Sequence, residues 1–199
     1  MQRKLLPAFV LTLSFLVTPF NPAQGAVKYA FPVAGCTVTY ARAHHNYPAT
    51  DILGKKGCKY VAVTNGVVDE VNRVDKYNYK TNLGADRGGL FVSIIGDDGV
   101  RYYASHLMQV AVGIEPGVRV VVGQALGKLG DSGDAKGTAP HVHFGISWPT
   151  PADIWWVRRG EIFPWPYLDK WKAALNAYPA KAVAAKKAMV GEVPEQVGY

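Results

Sequence analysis

The chain has 199 residues, of which 49% are hydrophobic, and 22 Lys and Arg against 15 Asp and Glu give a formal charge of +7 at pH 7. That length supports one domain with a real core and an appendage at most, not two domains. The positive balance suits an anionic neighbour such as a cell wall, an acidic glycan or a membrane surface, whereas the scatter of Lys and Arg along the chain argues against nucleic acid.

Residues 1–25 do not read as part of the fold. "MQRKLL" is a short basic segment, the apolar run that follows it has signal-peptide length, and "AQG" around Ala23 and Gly25 is a small-residue cleavage pattern. An uncleaved anchor is the alternative, but the run is broken by Pro7, Thr12, Ser14 and Thr18 and falls short of the roughly 20 residues needed to span a bilayer. The expectation is an exported mature chain carrying a charge of roughly +5, secreted or held in the cell envelope, without stable membrane insertion. Export gives meaning to the two cysteines, Cys36 and Cys58: an oxidising compartment favours joining them, and no C-x-x-C points to zinc thiolates instead. Their loop encloses "HHNYPATD", which a disulfide would stiffen.

From Tyr60 to Val122 the chain reads as β-structure. "YVAVTNGVVDEV" alternates and predicts a hairpin at Asn65-Gly66, and "GLFVSIIGDDGVRYYASHL" predicts another at Asp97-Asp98-Gly99. Between them, residues 74–89 are polar without apolar period and read as a surface loop. "VRVVVGQALGKLGDSGDAKGT" gives a strand, a glycine-rich connection and a polar loop over 131–138. "GTAPHVHFGI" then reads as a strand in which His141 and His143 share one face while Val142 and Phe144 share the other. Beyond Trp148 the chain is rich in Trp and Pro, with a short helix expected from about Tyr167 to Leu175 and the tryptophans packed against the sheet. Residues 179–199 carry a brief Ala/Lys helical bias and little to bury, so a frayed or disordered tail is expected.

The five histidines fall in three clusters: His44 and His45 ahead of Asp51, His106 in "YYASHL", and His141 with His143. An early His and Asp, a strand ending in His-Leu and a late "GTAPHVHF" together resemble the lysostaphin-like zinc metallopeptidases that cut peptidoglycan peptides. The resemblance spans roughly Phe31 to Ile146 and includes "VTNGVVDEV" and "GVRVVVGQALGKLGDSG". It implies a mainly β fold, an antiparallel sheet or sandwich of the duplicated hybrid type, with a peptidase domain over 26–150 and a C-terminal extension over 151–178 packed on it. It implies one zinc ion held by Asp51, His143 and one of His44 or His45, with His106 and His141 assisting catalysis.

One spacing departs from the family pattern. There the His and Asp stand four residues apart, whereas Asp51 is six after His45 and seven after His44, and the position four before it is Tyr47. The departure reads as a loop insertion, leaving the choice between the two histidines open with a lean to His45. Two imidazoles and a carboxylate leave a fourth tetrahedral position for water, the pattern of a catalytic zinc. Tyr103, Ser132 and Thr138 are weaker candidates for contacts with substrate: packing is the better reading of Tyr103, while Ser132 and Thr138 are equally at home in turns.

The expected activity is therefore hydrolysis of amide bonds in peptidoglycan stems or cross-bridges by a monomeric secreted enzyme. A catalytically silent wall-binding or hydrolase-activating module of the same fold is the alternative, disfavoured because every motif position has a candidate. A biotin or lipoyl carrier is excluded by the missing lysine hairpin, and a serine hydrolase by the absence of G-x-S-x-G.

Overall fold

The computed structural model describes residues 28–196; the expected signal segment lies outside them. Among the described residues ten strands occur in chain order. They are β1 (Val33–Ala34), β2 (Val38–Tyr40), β3 (Thr50–Gly54), β4 (Lys59–Val61) and β5 (Gly66–Asn72), then β6 (Leu90–Gly96), β7 (Arg101–Val110), β8 (Arg119–Val120), β9 (Ala125–Leu129) and β10 (His141–Ser147). Three helices follow: α1 (Trp155–Arg158), α2 (Trp165–Lys172) and α3 (Ala180–Val190). The fold is mainly β, as the sequence reading expected. Every strand pair is antiparallel, and the main path runs β1-β4-β9-β7-β10-β3-β2, with β6, β5 and β8 branching from β7.

The branch point lies in β7. Its first half pairs with β10 and its last residues with β9, and the register shifts where it passes Leu107. His106, at that change, has φ +61, a left-handed value that few side chains adopt, and its N–H leaves the ladder to donate to Gly88 O at 2.9 Å. Strand β10 is the centre of the site. Val142, Phe144 and Ile146 are fully buried in the core, so His141, His143 and Gly145 share the opposite face, as period-two alternation requires.

The Asp97-Asp98-Gly99 turn closes β6 onto β7, with Gly96 N–H donating to Val100 O and Gly99 at φ +76. Asn65-Gly66 does not make the expected hairpin, because β4 pairs with β1 and β9 while β5 pairs with β6 and β8. Glycine is needed there for a different reason: a Cβ on Gly66 would lie 2.3 Å from Ile95 O. Asn65 instead accepts from Val122 N–H through Oδ1 and from Asp97 N–H through its carbonyl, tying distant strands together.

The expected tail disorder is also corrected. Residues 180–190 form an eleven-residue helix, consistent with the high propensity of Ala and Lys, and Val183 is buried in the core. Beyond it, Trp148 Nε1 donates to Glu192 O and Trp156 Nε1 to Pro194 O, each at about 2.9 Å within the ordinary range. The sparse apolar content of the tail hid these two tryptophan anchors, which lie on other elements. The short helix expected from Tyr167 forms two residues earlier, and Trp171 on it is buried, stacked on Tyr29 at 5.3 Å between ring centres. Cys36 and Cys58 form the expected disulfide.

Candidate metal and catalytic centre

The register of the sheet assembles the site. Across three strands, Asp51 on β3 pairs with His143 on β10, which pairs with Ser105 on β7, next to His106. The groove above this row has a volume of about 840 Å³ and is lined by all five histidines, Asp51, Tyr47 and Tyr103. It is closed by the 74–89 loop through Gly84 and Arg87, by Asp134 and Thr138 of the 131–138 loop, and by Trp155, Arg158 and Arg159.

Hydrogen bonds to carbonyl oxygens assign the imidazole tautomers, because a carbonyl can only accept. His106 Nδ1 donates to Ser132 O at 2.9 Å and His141 Nδ1 to Ala139 O at 2.8 Å. Each therefore keeps Nε2 as the basic nitrogen, and the two rings stand 4.9 Å apart between centres. His143 is reversed: Nε2 donates to Arg159 O at 2.8 Å, so the lone pair is on Nδ1, 3.2 Å from Asp51 Oδ1.

Two acceptors 3.2 Å apart repel unless a cation or proton stands between them. His44 Nε2 is 3.6 Å from the same carboxylate oxygen. A tetrahedral zinc with ligands at roughly 2.05 Å places those ligands about 3.3 Å apart, so the donor set and its spacing fit the ion. His44, His45 and Asp51 also offer ligand atoms all within 4.8 Å of one another. The two adjacent histidines differ in setting: the His44 ring is buried against Tyr47 and His143 at 4.5 and 4.7 Å, while His45 is exposed and meets His44 edge-on at 4.6 Å.

Protonation states follow from these surroundings. Burial, reinforced by His143, pulls the His44 pKa down to about 4, and burial with His143 and His141 pulls His106 down to about 3. Burial alone would raise Asp51, but a proton on His143, acting through its hydrogen bond and charge, and then His44, outweigh it and hold the carboxyl well below its usual range. At neutral pH the centre thus presents neutral His44 and His106 beside an ionised Asp51, and metal ligation needs deprotonated donors of this kind.

The weaker candidates separate. Tyr103 is 3% exposed and lines the groove floor, whereas Tyr102, facing the other way, donates to Asp98 Oδ2 within the core. Thr138 lines the groove but its hydroxyl donates to Ala135 O at 2.8 Å, closing a turn. Ser132 is not among the lining residues: its Oγ accepts from Leu90 N–H, and its carbonyl is the one that orients His106.

Sequence reasoning missed Arg159. Its carbonyl holds His143, and the strand makes room for it at Gly145, where a Cβ would lie 2.1 Å from Arg159 O. Gly160 completes the turn at φ +140, 2.1 Å from Pro48 O by the same measure. A glycine inside an otherwise β-rich run was the available signal of a close backbone approach.

The fold is shared with solved structures. The catalytic domain of the antimicrobial peptidase lysostaphin from Staphylococcus simulans superposes with a TM-score of 0.50 at 22% identity, covering 66% of this chain and 92% of that one. A putative glycyl-glycine endopeptidase lytM from Ruminococcus gnavus gives 0.57 at 24% identity, covering 76% and 64%. No curated protein matches the chain. The model of peptidase family M23 matches residues 45–153, more than half of the chain, which belongs to that family.

Proposed function

We propose that this chain is an exported zinc-dependent endopeptidase that hydrolyses amide bonds in peptidoglycan peptides. The observation that carries the reading is the acceptor pair of His143 Nδ1 and Asp51 Oδ1 at 3.2 Å, flanked in one groove by two imidazoles with basic Nε2 atoms. His44, Asp51 and His143 would hold the ion, with His44 favoured over His45 by burial and by its approach to Asp51. Bound there, zinc would supply Lewis acidity toward a carbonyl and toward water.

The remaining chemistry belongs to the protein. His141 and His106, each fixed through Nδ1 to a backbone carbonyl, offer Nε2 to take a proton from the attacking water and return it to the leaving amine. Positioned acid and base groups of this kind contribute about 10²- to 10⁴-fold. The disulfide and the basic, apolar start of the sequence support an extracytoplasmic setting.

The test pairs zinc content per chain with release of amino groups from purified peptidoglycan, with and without chelator. One zinc and chelator-sensitive release are expected, and His106→Ala or His141→Ala should keep the zinc while losing most turnover. No zinc and no release would turn the reading to a binding module of the same fold.

A further inference from the structure

Strand β5 carries two adjacent acids, Asp69 and Glu70, that the proposed chemistry does not use. Consecutive residues of an unbroken strand point to opposite faces, but the pairing of β5 with β6 shifts register between Val68 and Glu70, and such a bulge turns both acids toward one neighbour. Asp69 Oδ2 lies 2.8 Å from Arg101 Nε and Glu70 Oε1 3.7 Å from Arg101 Nη2, while Glu70 Oε2 accepts from Arg158 Nη1 at 2.6 Å. Two carboxylates and two guanidinium groups thus balance one another, and both arginines are buried.

A buried network of charges is a poor route to stability, since well-packed apolar side chains commonly do as well. What it supplies is direction, because each ion pair holds one geometry. Arg101 donates to the Thr150 hydroxyl at 3.0 Å and to the Thr150 carbonyl at 2.6 Å, and Glu70 holds Arg158, so both ends of the 150–158 segment are tied to the sheet. The Arg158 guanidinium lies 4.4 Å from the Phe91 ring centre and 5.7 Å from that of Tyr103, where it lines the groove. The next residue along the chain supplies the carbonyl that accepts from His143 Nε2.

We infer that Glu70 is a positioning residue for the centre: by holding Arg158 it sets the place of the Arg159 carbonyl, and that carbonyl fixes the proton and the ring of His143. This deepens the peptidase reading and rests on it. Glu70 stands 88 residues before Arg158 and does not line the groove, so its effect passes entirely through the arginine.

Glu70→Gln keeps the shape of the side chain and one hydrogen-bond acceptor but leaves Arg158 short of a charge. Zinc affinity is read by competition with a chromophoric chelator, and the His143 tautomer by imidazole nitrogen NMR on the zinc-free chain. Zinc should bind about 10-fold more weakly, the low end for the outer partners of a metal ligand, and His143 should change from one tautomer, protonated on Nε2, to a mixture. Asp98→Ala strips the acceptor from the hydroxyls of Tyr29 and Tyr102; as a control for lost stability it should leave both readings unchanged. Arg158→Lys keeps a cation for Glu70 but not the flat group against Phe91, and should give a smaller loss of the same kind.

A folded Glu70→Gln chain with wild-type zinc affinity and a single His143 tautomer overturns the inference, as does a control that disturbs the two readings as much. Where Glu70→Gln does not fold, Arg158→Lys decides by the same readings. The wild-type spectrum needs no substitution, and a His143 proton on Nδ1 in the zinc-free chain overturns the inference by itself. A mixed His143 in Glu70→Gln, beside a wild type that takes up no zinc and releases nothing from peptidoglycan, refutes the peptidase reading alone. A wild type that cleaves peptidoglycan with a His143 that Glu70→Gln leaves undisturbed refutes the positioning alone.

Discussion

Gly145→Ala tests whether the backbone behind the centre matters to it. The new Cβ would stand 2.1 Å from Arg159 O and 2.5 Å from Arg159 C, and both are backbone atoms that no rotamer change can move aside. Restoring an ordinary contact requires the carbonyl to retreat by about 1.3 Å, which stretches the 2.8 Å bond from His143 Nε2 past hydrogen-bonding distance. His143 then loses the partner that fixes its tautomer and ring angle. Losing a support of this kind typically weakens metal binding by about 10- to 100-fold.

Zinc affinity by competition with a chromophoric chelator reads this effect, and urea unfolding reads the accompanying loss of stability, about 1–3 kcal/mol for overpacking. Ile146→Val, one residue along the same strand but on the core face, is the control. It should cost about 1 kcal/mol and leave zinc affinity unchanged. A folded Gly145→Ala protein that binds zinc as tightly as wild type would refute the argument.

His44→Ala should remove zinc while His45→Ala retains it; the reverse pattern, read by metal analysis, would place the ligand on the exposed ring. Burial lifts the Glu161 carboxyl from its ordinary 4.5 to about 6. A carboxyl raised in the folded state costs nothing below pH 4.5, where folded and unfolded chains both hold the proton, and its full penalty above pH 6. Glu161→Gln should therefore stabilise the protein at pH 7.5 by about 1 kcal/mol, after allowance for partial exposure, and leave it unchanged at pH 4, as urea titration at the two pH values would show. Reducing the Cys36–Cys58 disulfide, whose partners are 22 residues apart, should cost about 3 kcal/mol by loop entropy, seen as a lower denaturation midpoint with dithiothreitol present.

Much of the centre was legible because it obeys local rules. Alternation along β10 put His141 and His143 on one face, and the order of the histidine clusters matched a family pattern that the structure gathers around one groove. What escaped was non-local. Asn65-Gly66 has the composition of a hairpin, yet its neighbours pair with strands far along the chain, and no local signal encodes that choice. The helical tail was hidden for the same reason, since its anchors are tryptophans on other elements. Arg159 was invisible because it acts on His143 through its carbonyl, which every residue type possesses.

The carbonyl of Arg159 also bears on the order in which the protein matures. Asp51 and His143 are 92 residues apart, and Arg159 follows His143 by another 16, arriving on a turn that docks after β10 through the Ile146 to Ile162 bridge. The 92-residue separation of Asp51 and His143 makes their pairing a late step, because the loop entropy must be met first, and the turn that carries Arg159 needs β10 in place to dock on. A chain folding from its N-terminus would therefore have a complete sheet before it had a fixed His143, and the groove would be complete only once the Trp-rich segment was seated.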